Sequence, residues 1–115
     1  MKAILIDAKT REVREVSIKG DLKSLQDAVG GYIELVQLGD GDDLFVNEEG
    51  LLHGEVHFFA IEGYAQPLAG NGIIVGHNGD GDTVSANLTV DWVRERVTFM
   101  TRAEVLTEIR AQEEN

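Results

Sequence analysis

The chain opens with alternating apolar and polar positions. Ala3 to Asp7 is an apolar, β-branched run, Lys9-Thr10 interrupts it, and a second alternating run follows with Val13 and Val16 on opposite sides. Alternation with a period of two is typical of strands with one buried face. The pattern therefore predicts an amino-terminal β-hairpin.

A short helix is predicted directly after this hairpin. Asp21 is a suitable N-cap, because its carboxylate can accept a hydrogen bond from a free N–H group of the first turn. Gly30-Gly31 supplies the left-handed residue with which many helices end. Apolar side chains fall on one face of the helix between these two signals, namely Leu22, Leu25, Ala28 and Val29.

Short apolar runs alternate with turns in the middle of the chain. Tyr32 to Leu38 predicts a mostly buried strand, and Leu44 to Val46 predicts a brief one after the acidic turn GDGDD. Leu51 to Ile61 is apolar with interspersed His and Glu, and we expect irregular structure or a short helix there. Ile73 to Val75 predicts a buried strand, and His77 to Asp82 predicts a solvent-facing turn.

The last third predicts one or two helices. Thr89 can cap the first helix, although the run VRERVTF also fits a strand. Thr101 and Glu104 have the spacing of a capping box ahead of a second helix. The apolar or long side chains at helical spacing in the two segments are Trp92, Val93, Arg96, Val97 and Met100, then Val105, Leu106 and Ile109. We expect residues 111–115 to be frayed.

Together these elements predict a small α+β domain that spans residues 1–115. Its expected sheet is mixed or antiparallel, with a short helix after the first hairpin and one or two carboxyl-terminal helices. A chain of 115 residues with 43% hydrophobic residues can form a single core.

Charge and cysteine content narrow the expected partners. The 21 acidic and 10 basic residues give a net charge of −11, which repels phosphate backbones and anionic lipids. We therefore expect neither nucleic-acid nor membrane binding. The absence of cysteine fits a reducing cytoplasm. The start MKAILIDAKT has one lysine ahead of an apolar run that Asp7 breaks, so it predicts a strand rather than a secretory signal.

The strongest candidate site is the segment Gly63 to Gly76, GYAQPLAGNGIIVG, which combines four glycines with the one proline of the chain. Glycine permits positive φ and close backbone approach, so the segment predicts a built loop that leads into a strand. It matches neither a GxGxxG turn nor a P-loop, because no Lys-Ser/Thr follows and a strand comes next. We expect a polar ligand to contact Tyr64, Gln66, Gly70, Asn71 and Gly72. The alternative is that these glycines serve only tight packing.

Three arginines concentrate positive charge in this acidic chain. Arg94 and Arg96 are candidate phosphate clamps, because guanidinium donates two hydrogen bonds to an oxyanion, and Arg102 lies nearby in the sequence. Trp92 is a candidate for stacking on a ligand ring, next to its alternative role in the core. The alternative for the arginines is a set of helix salt bridges, for example with Glu95.

Neither a metal site nor catalysis is expected. The cluster His53-Gly54-Glu55-Val56-His57 has metal-ligand spacing but lacks the Glu directly after the first His that HExxH requires. The Asp-Gly turns lack the ligand positions of a calcium loop. Ser17, Ser24 and Ser85 have no histidine nearby in the sequence and no GxSxG context. We expect no cofactor.

Three segments carry a family resemblance. GGYIELV, LFVNEEGLL and PLAGNGIIVG, within Gly30 to Gly76, resemble in their order the family of short phage, plasmid and actinobacterial proteins known as domain of unknown function 3846. The resemblance implies a small α+β fold and a mobile-element origin, and it carries over no catalytic residue.

The sequence leaves two functional hypotheses. In the first, the protein is a phage or mobile-element accessory protein that binds and sequesters a small molecule, with nucleotide-derived molecules as one class, to counter host defence. We expect it to be a homo-oligomer, since Phe58 and Phe59 need cover. The alternative is an acidic inhibitor or DNA mimic that presents carboxylates to a host enzyme, and its candidate residues are Asp40, Asp42, Asp43, Glu48, Glu49, Asp80 and Asp82.

Overall fold

The structure is a computed structural model that describes residues 1–38, 41–50 and 56–113. The strands in these ranges are β1 (Lys2–Asp7), β2 (Glu12–Ser17), β3 (Ile33–Gln37), β4 (Asp42–Asn47), β5 (His57–Ile61), β6 (Leu68–Ala69), β7 (Gly72–His77), β8 (Thr83–Val84) and β9 (Val97–Thr101). The helices are α1 (Leu22–Val29), α2 (Val90–Arg96) and α3 (Arg102–Glu113).

The strands form two antiparallel sheets. The larger, six-stranded sheet has the order β2-β1-β7-β4-β3, with β8 paired to β7, and the smaller has the order β6-β5-β9. The chain is therefore a strand-rich α+β domain, as the sequence predicts. The expected amino-terminal hairpin is β1 and β2, in which Ile6 pairs with Val13.

Each face of the larger sheet is covered. α1 covers one face with Leu25 and Val29, which pack with Ile73 of β7. The smaller sheet and α2 cover the other face, where Phe59 and Val93 join the main core. α3 packs through Val105 on Phe58, on the far side of the smaller sheet. The neighbouring strands β1 and β7 thus have side chains buried on both faces of the sheet.

The helix signals in the sequence are confirmed where they depend on neighbouring residues. The Asp21 carboxylate accepts a hydrogen bond from the Ser24 N–H at 3.0 Å. Gly30 has φ 83° and donates its N–H to the Gln26 carbonyl at 2.8 Å. Thr101 and Glu104 form the reciprocal capping box, with N–H to side-chain oxygen distances of 3.0 and 3.2 Å.

Three expectations about strands, helices and strand burial were wrong. The described end of the apolar segment Leu51 to Ile61 contains strand β5, because His57–Ile61 pairs with β9. Val97 and Met100 lie in β9 and not in a helix, since α2 ends at Arg96. The strand expected to be mostly buried, β3, has only Val36 buried, because it lies at the edge of the sheet.

Two aromatic side chains that were expected to need cover are already buried. Phe58 is 2% exposed and Phe59 is 0% exposed, because the two neighbouring layers enclose them. The argument for an oligomer from these residues therefore does not hold. Of the helices in the described part of the chain, none combines the length and the apolar character that crossing a membrane requires.

The position of Asp42 differs most from the expectation, which was an acidic turn. It begins β4, is 1% exposed, and accepts hydrogen bonds from the backbone N–H groups of Asn87 and Leu88 at 2.9 and 2.8 Å. The Asn87 side-chain amide donates a further bond at 3.1 Å. A carboxylate that the sequence assigned to an acidic turn thus holds the segment that leads into α2.

Candidate functional site

A cleft of about 350 Å³, here named the polar cleft, lies at one end of the larger sheet. Five segments meet there: the turn after β1, the end of α1, the turn after β4, the start of β5 and the loop between β6 and β7. The polar side chains that line it include Asp7, Lys9, Asp27, Asn47, His57 and Asn71.

The loop between β6 and β7 contributes two predicted site residues to the polar cleft. Asn71 accepts a hydrogen bond from the Ala8 N–H through Oδ1 at 3.0 Å, which connects this loop to the turn after β1. Because Oδ1 must be the acceptor, the amide nitrogen of Asn71 remains available as a donor. Gly70 has φ 77° and donates its N–H to the His57 carbonyl at 2.9 Å. The glycine therefore permits the bend that brings Asn71 to the cleft.

The turn after β1 contributes two charges of opposite sign. The Asp7 carboxylate accepts hydrogen bonds from the Thr10 N–H and from Arg14 Nη2, each at 3.1 Å. Burial raises the pKa of Asp7, but the bonds from Thr10 and Arg14 outweigh it, so the pKa lies below its usual value. Lys9 is exposed, and its ammonium group makes no ion pair or hydrogen bond with the described residues. Lys9 is thus an available cation among the described residues that line the cleft.

Two other lining residues are engaged within the fold. Asn47 donates from Nδ2 to the Val29 carbonyl at 3.4 Å and accepts the Glu49 N–H through Oδ1 at 2.9 Å. These bonds hold the turn after β4 against the end of α1. Asp27 pairs with Lys23 at 3.4 Å on the exposed side of the helix. The cleft is therefore lined by acidic, basic and amide side chains, and bonds within the fold hold Asn47 and Asp27.

Tyr64 and Gln66 line a second cleft of about 200 Å³, here named the side cleft. Asn47 lines both clefts, so the two are neighbours across the turn after β4. Tyr64 is 38% exposed, and Glu34 and Pro67 complete the polar and apolar sides of the side cleft. The predicted loop residues thus divide between two adjoining sites.

Gly72 lies inside β7 and lines neither cleft. A Cβ atom at this position would stand 2.8 Å from Leu44 Cδ1 and 2.8 Å from Phe59 Cζ. Such an approach is closer than van der Waals contact allows, so any larger residue would force Leu44 and Phe59 to shift in the core between the sheets. Gly72 therefore serves close packing, which was the alternative to ligand contact, whereas Gly70 permits the bend of the loop.

The predicted residues of α2 also lie outside both clefts. Arg94 donates from Nη2 to the Val13 carbonyl at 3.0 Å and pairs with Asp91 at 3.5 Å. Arg96 donates to the Trp92 carbonyl at 3.0 Å, and its guanidinium lies 3.9 Å from the centre of the Trp92 ring. Trp92 itself is half-buried against the main core. These side chains are engaged with one another and with β2.

Sequence reasoning missed Asp7, Lys9, Asp27 and Asn47 as lining residues. The one local signal was the polar turn that follows directly on the buried strand β1, which places charged side chains at the end of a sheet. His53, Gly54 and Glu55 of the candidate metal cluster lie outside the described residues. Within the described ranges, no group of three acidic or histidine side chains could hold a metal ion.

No curated protein and no solved structure matches the chain significantly. A protein-family model matches residues 1–98, a range that includes every segment of both clefts and ends inside β9. The matched range covers the three segments that carry the resemblance in the sequence, and α3 lies beyond it. The chain therefore belongs to the family described as a domain of unknown function (DUF3846).

Proposed function

We propose that this protein binds a small polar molecule in the polar cleft and acts by holding it rather than by transforming it. The observation that carries the proposal is that Lys9 and Asn71, two residues with donor groups that no described residue engages, line a cleft of about 350 Å³. Clefts for small ligands typically hold roughly 300–1,000 Å³ and carry a few fixed polar groups.

The lining favours a ligand with both donors and acceptors. Lys9 and the Asn71 amide suit an oxyanion or a carbonyl, whereas Asp27 suits an N–H or hydroxyl donor. A nucleoside or a nucleotide with little phosphate has this combination. A polyphosphate suits the cleft less, because Arg94 and Arg96 are engaged on α2 and the cleft contains two carboxylates.

The biological part of the proposal rests on the family resemblance. A phage or mobile-element protein that sequesters a nucleotide-derived molecule in the host cytoplasm would counter a defence that uses such a molecule as a signal. Sequestration requires affinity alone, which suits a cleft whose carboxylate Asp7 is held by Thr10 and Arg14. Such a role needs no catalytic group.

The alternative, an acidic inhibitor or DNA mimic, is supported by the net charge of −11. The positions of the carboxylates favour it less. Asp42 is 1% exposed, and Asp43 pairs with His77 at 2.9 Å. Asp80 and Asp82 lie in a turn that Asn78 organises by accepting both of their N–H groups. Asp42 and Asp43 are thus engaged within the fold, and Asp40 lies outside the described residues.

The test is native mass spectrometry of the purified protein, followed by thermal-shift measurements with nucleosides, nucleotides, cyclic dinucleotides and ADP-ribose. We expect one class to raise the melting temperature in proportion to the logarithm of its concentration. Lys9→Ala should weaken that binding at least tenfold without lowering the stability of the free protein, because Lys9 is exposed and unpaired among the described residues. Lys19→Ala, which removes an exposed lysine outside the polar cleft, is the matched control.

A second variant separates binding from folding at the loop. Asn71→Asp keeps the oxygen that accepts the Ala8 N–H and replaces the amide donor, so the loop connection can persist while ligand contact is lost. A flat thermal-shift panel with no co-purified molecule would overturn the proposal. Equal affinities of Lys9→Ala, Asn71→Asp and the wild type for a bound compound would exclude the polar cleft as its site.

A further inference from the structure

The larger sheet ends in two strands, β2 on one side and β3 on the other. A strand at the edge of a sheet has unpaired N–H and C=O groups that can pair with a further strand. Within the described ranges, no strand pairs with the outer side of β3. The two edges differ in the bonds and charged side chains that accompany these groups. This difference indicates that one edge can pair with a further strand.

The backbone of β3 shows which of its groups face outward. The Glu48 N–H donates to the Tyr32 carbonyl at 2.8 Å, so these two opposed residues are bonded to each other. Inward and outward groups alternate along an antiparallel strand. With the register Ile33 to Asn47 and Leu35 to Phe45, the residues whose backbone groups point away from the sheet are therefore Ile33, Leu35 and Gln37.

The outward backbone groups of β2 are partly occupied. Met1 and Ile18 exchange two backbone bonds, of 2.7 and 3.0 Å, so the alternation places the groups of Val13 on the outer side. Arg94 occupies the Val13 carbonyl at 3.0 Å. Charged side chains that accompany an edge are a known protection against pairing, and β2 has Arg14 and Glu15 at its centre.

Among the described residues, β3 has less of this protection. Its one charged residue is Glu34, and Leu35 at its centre is 46% exposed. An open edge with an exposed aliphatic side chain is a template for β-pairing.

We propose that β3 pairs with β3 of a second copy, antiparallel about a two-fold axis, with Leu35 of one copy opposite Leu35 of the other. In this register Ile33 lies opposite Gln37, so all three outward residues meet outward residues and each pair exchanges two hydrogen bonds. Glu34 lies opposite Val36, and no like charges are directly opposed. The two larger sheets become one continuous sheet. A second copy fits because, in this register, the outward N–H and C=O groups of one β3 meet those of the other.

The proposal is independent of ligand binding, because Ile33, Leu35 and Gln37 do not line the polar cleft. It also predicts the effect of salt. Two copies with a net charge of −11 each repel one another, and salt screens this repulsion. The dimer should therefore become tighter as the ionic strength rises, whereas an association based on ion pairs would weaken.

The test uses the fact that Leu35 is opposed to itself. Light scattering and native mass spectrometry of the wild type should give twice the mass of one chain. Leu35→Lys and Leu35→Glu should each give a monomer, because each places like charges directly opposite one another. Mixing these two variants should restore a dimer that contains one of each, since Lys then faces Glu. Ser17→Lys adds an exposed lysine to β2 and should leave the wild-type mass unchanged.

Folding of each variant is checked by circular dichroism and by its unfolding midpoint. A wild type that is monomeric at its highest soluble concentration in high salt overturns the proposal. So does a Leu35→Lys variant that keeps the dimer mass, because another surface must then hold the copies together. If both charged variants unfold, failure of their mixture to refold as a heterodimer contradicts the register.

Discussion

Replacement of Asp42 by asparagine tests whether the buried carboxylate holds the larger sheet to the segment before α2. In the wild type, its two oxygens accept bonds from the backbone N–H groups of Asn87 and Leu88 and from the Asn87 amide, at 2.8–3.1 Å. Asp42→Asn keeps the size of the side chain and one acceptor oxygen. It directs an NH2 group toward at least one N–H donor, which then has no acceptor.

The expected loss in the free energy of unfolding follows from these hydrogen bonds. A hydrogen bond to a charged group is worth about 1.5–3 kcal/mol, and a buried donor without a partner costs about 1–3 kcal/mol. Removal of the desolvation cost of the buried charge offsets part of this loss. We expect Asp42→Asn to lower the free energy of unfolding by about 2–4 kcal/mol. At roughly 4 °C per kcal/mol for a domain of this size, the melting temperature should fall by roughly 8–16 °C.

Urea unfolding monitored by the fluorescence of Trp92 measures this loss, since Trp92 lies in α2, just after the segment that Asp42 holds. Asp80→Asn is the matched control, because it removes the same charge from an exposed turn. Its effect should stay within about 0.5 kcal/mol of the wild type. An Asp42→Asn variant as stable as the control would refute the view that this carboxylate stabilises the connection to α2.

The remaining predictions concern pH, packing and capping. The pKa of Asp7 is lowered in the folded state, so its contribution to stability is present above the unfolded value of 3.8 and is lost as the pH falls through the lower, folded value. The urea midpoint of the wild type should therefore exceed that of Asp7→Asn at neutral pH, and the difference should shrink at about pH 3. An unchanged difference would contradict this. Gly72→Ala places Cβ 2.8 Å from Leu44 and Phe59 and should cost about 1–3 kcal/mol in urea unfolding, and a neutral result would show that the sheets can separate. Thr89→Ala removes the acceptor for the Trp92 N–H at 3.1 Å and should cost about 1 kcal/mol, whereas Thr89→Ser should retain most of the stability.

Several elements could be predicted because their causes are local. The N-cap Asp21, the left-handed Gly30 and the capping box of Thr101 and Glu104 each involve residues within a few positions of one another. The hairpin of β1 and β2 is likewise formed by neighbouring runs joined by a short turn. A one-dimensional pattern contains all of the information that these features require.

Strand β5 and the end of α2 could not be predicted in the same way. His57–Ile61 is a strand because it pairs with β9, which lies far along the chain. Val97 follows a helical pattern in the sequence, yet pairing with Ile61 makes it extended. Competition between a weak local pattern and a long-range pairing is decided by the energy of the assembled sheet.

The candidate site was predicted in part. The segment from Gly63 to Gly76 contributes Gly70 and Asn71 to the polar cleft, and it contributes Tyr64 and Gln66 to the side cleft. The other lining residues of the polar cleft come from distant segments. No spacing rule connects Asn71 with the turn after β1, although the Asn71 side chain bonds to Ala8 across 63 positions.

The sequence by itself thus determined the class of fold, the helix boundaries that depend on caps, and the loop at which a site was expected. The tertiary structure alone decided that Asp42 is buried, that α2 keeps its arginines away from the loop, and that no strand of the described ranges covers the outer side of β3. The physical reason is that caps and turns are stabilised by bonds between neighbours in the chain. Burial, cleft lining and edge exposure depend on which distant segments pack together.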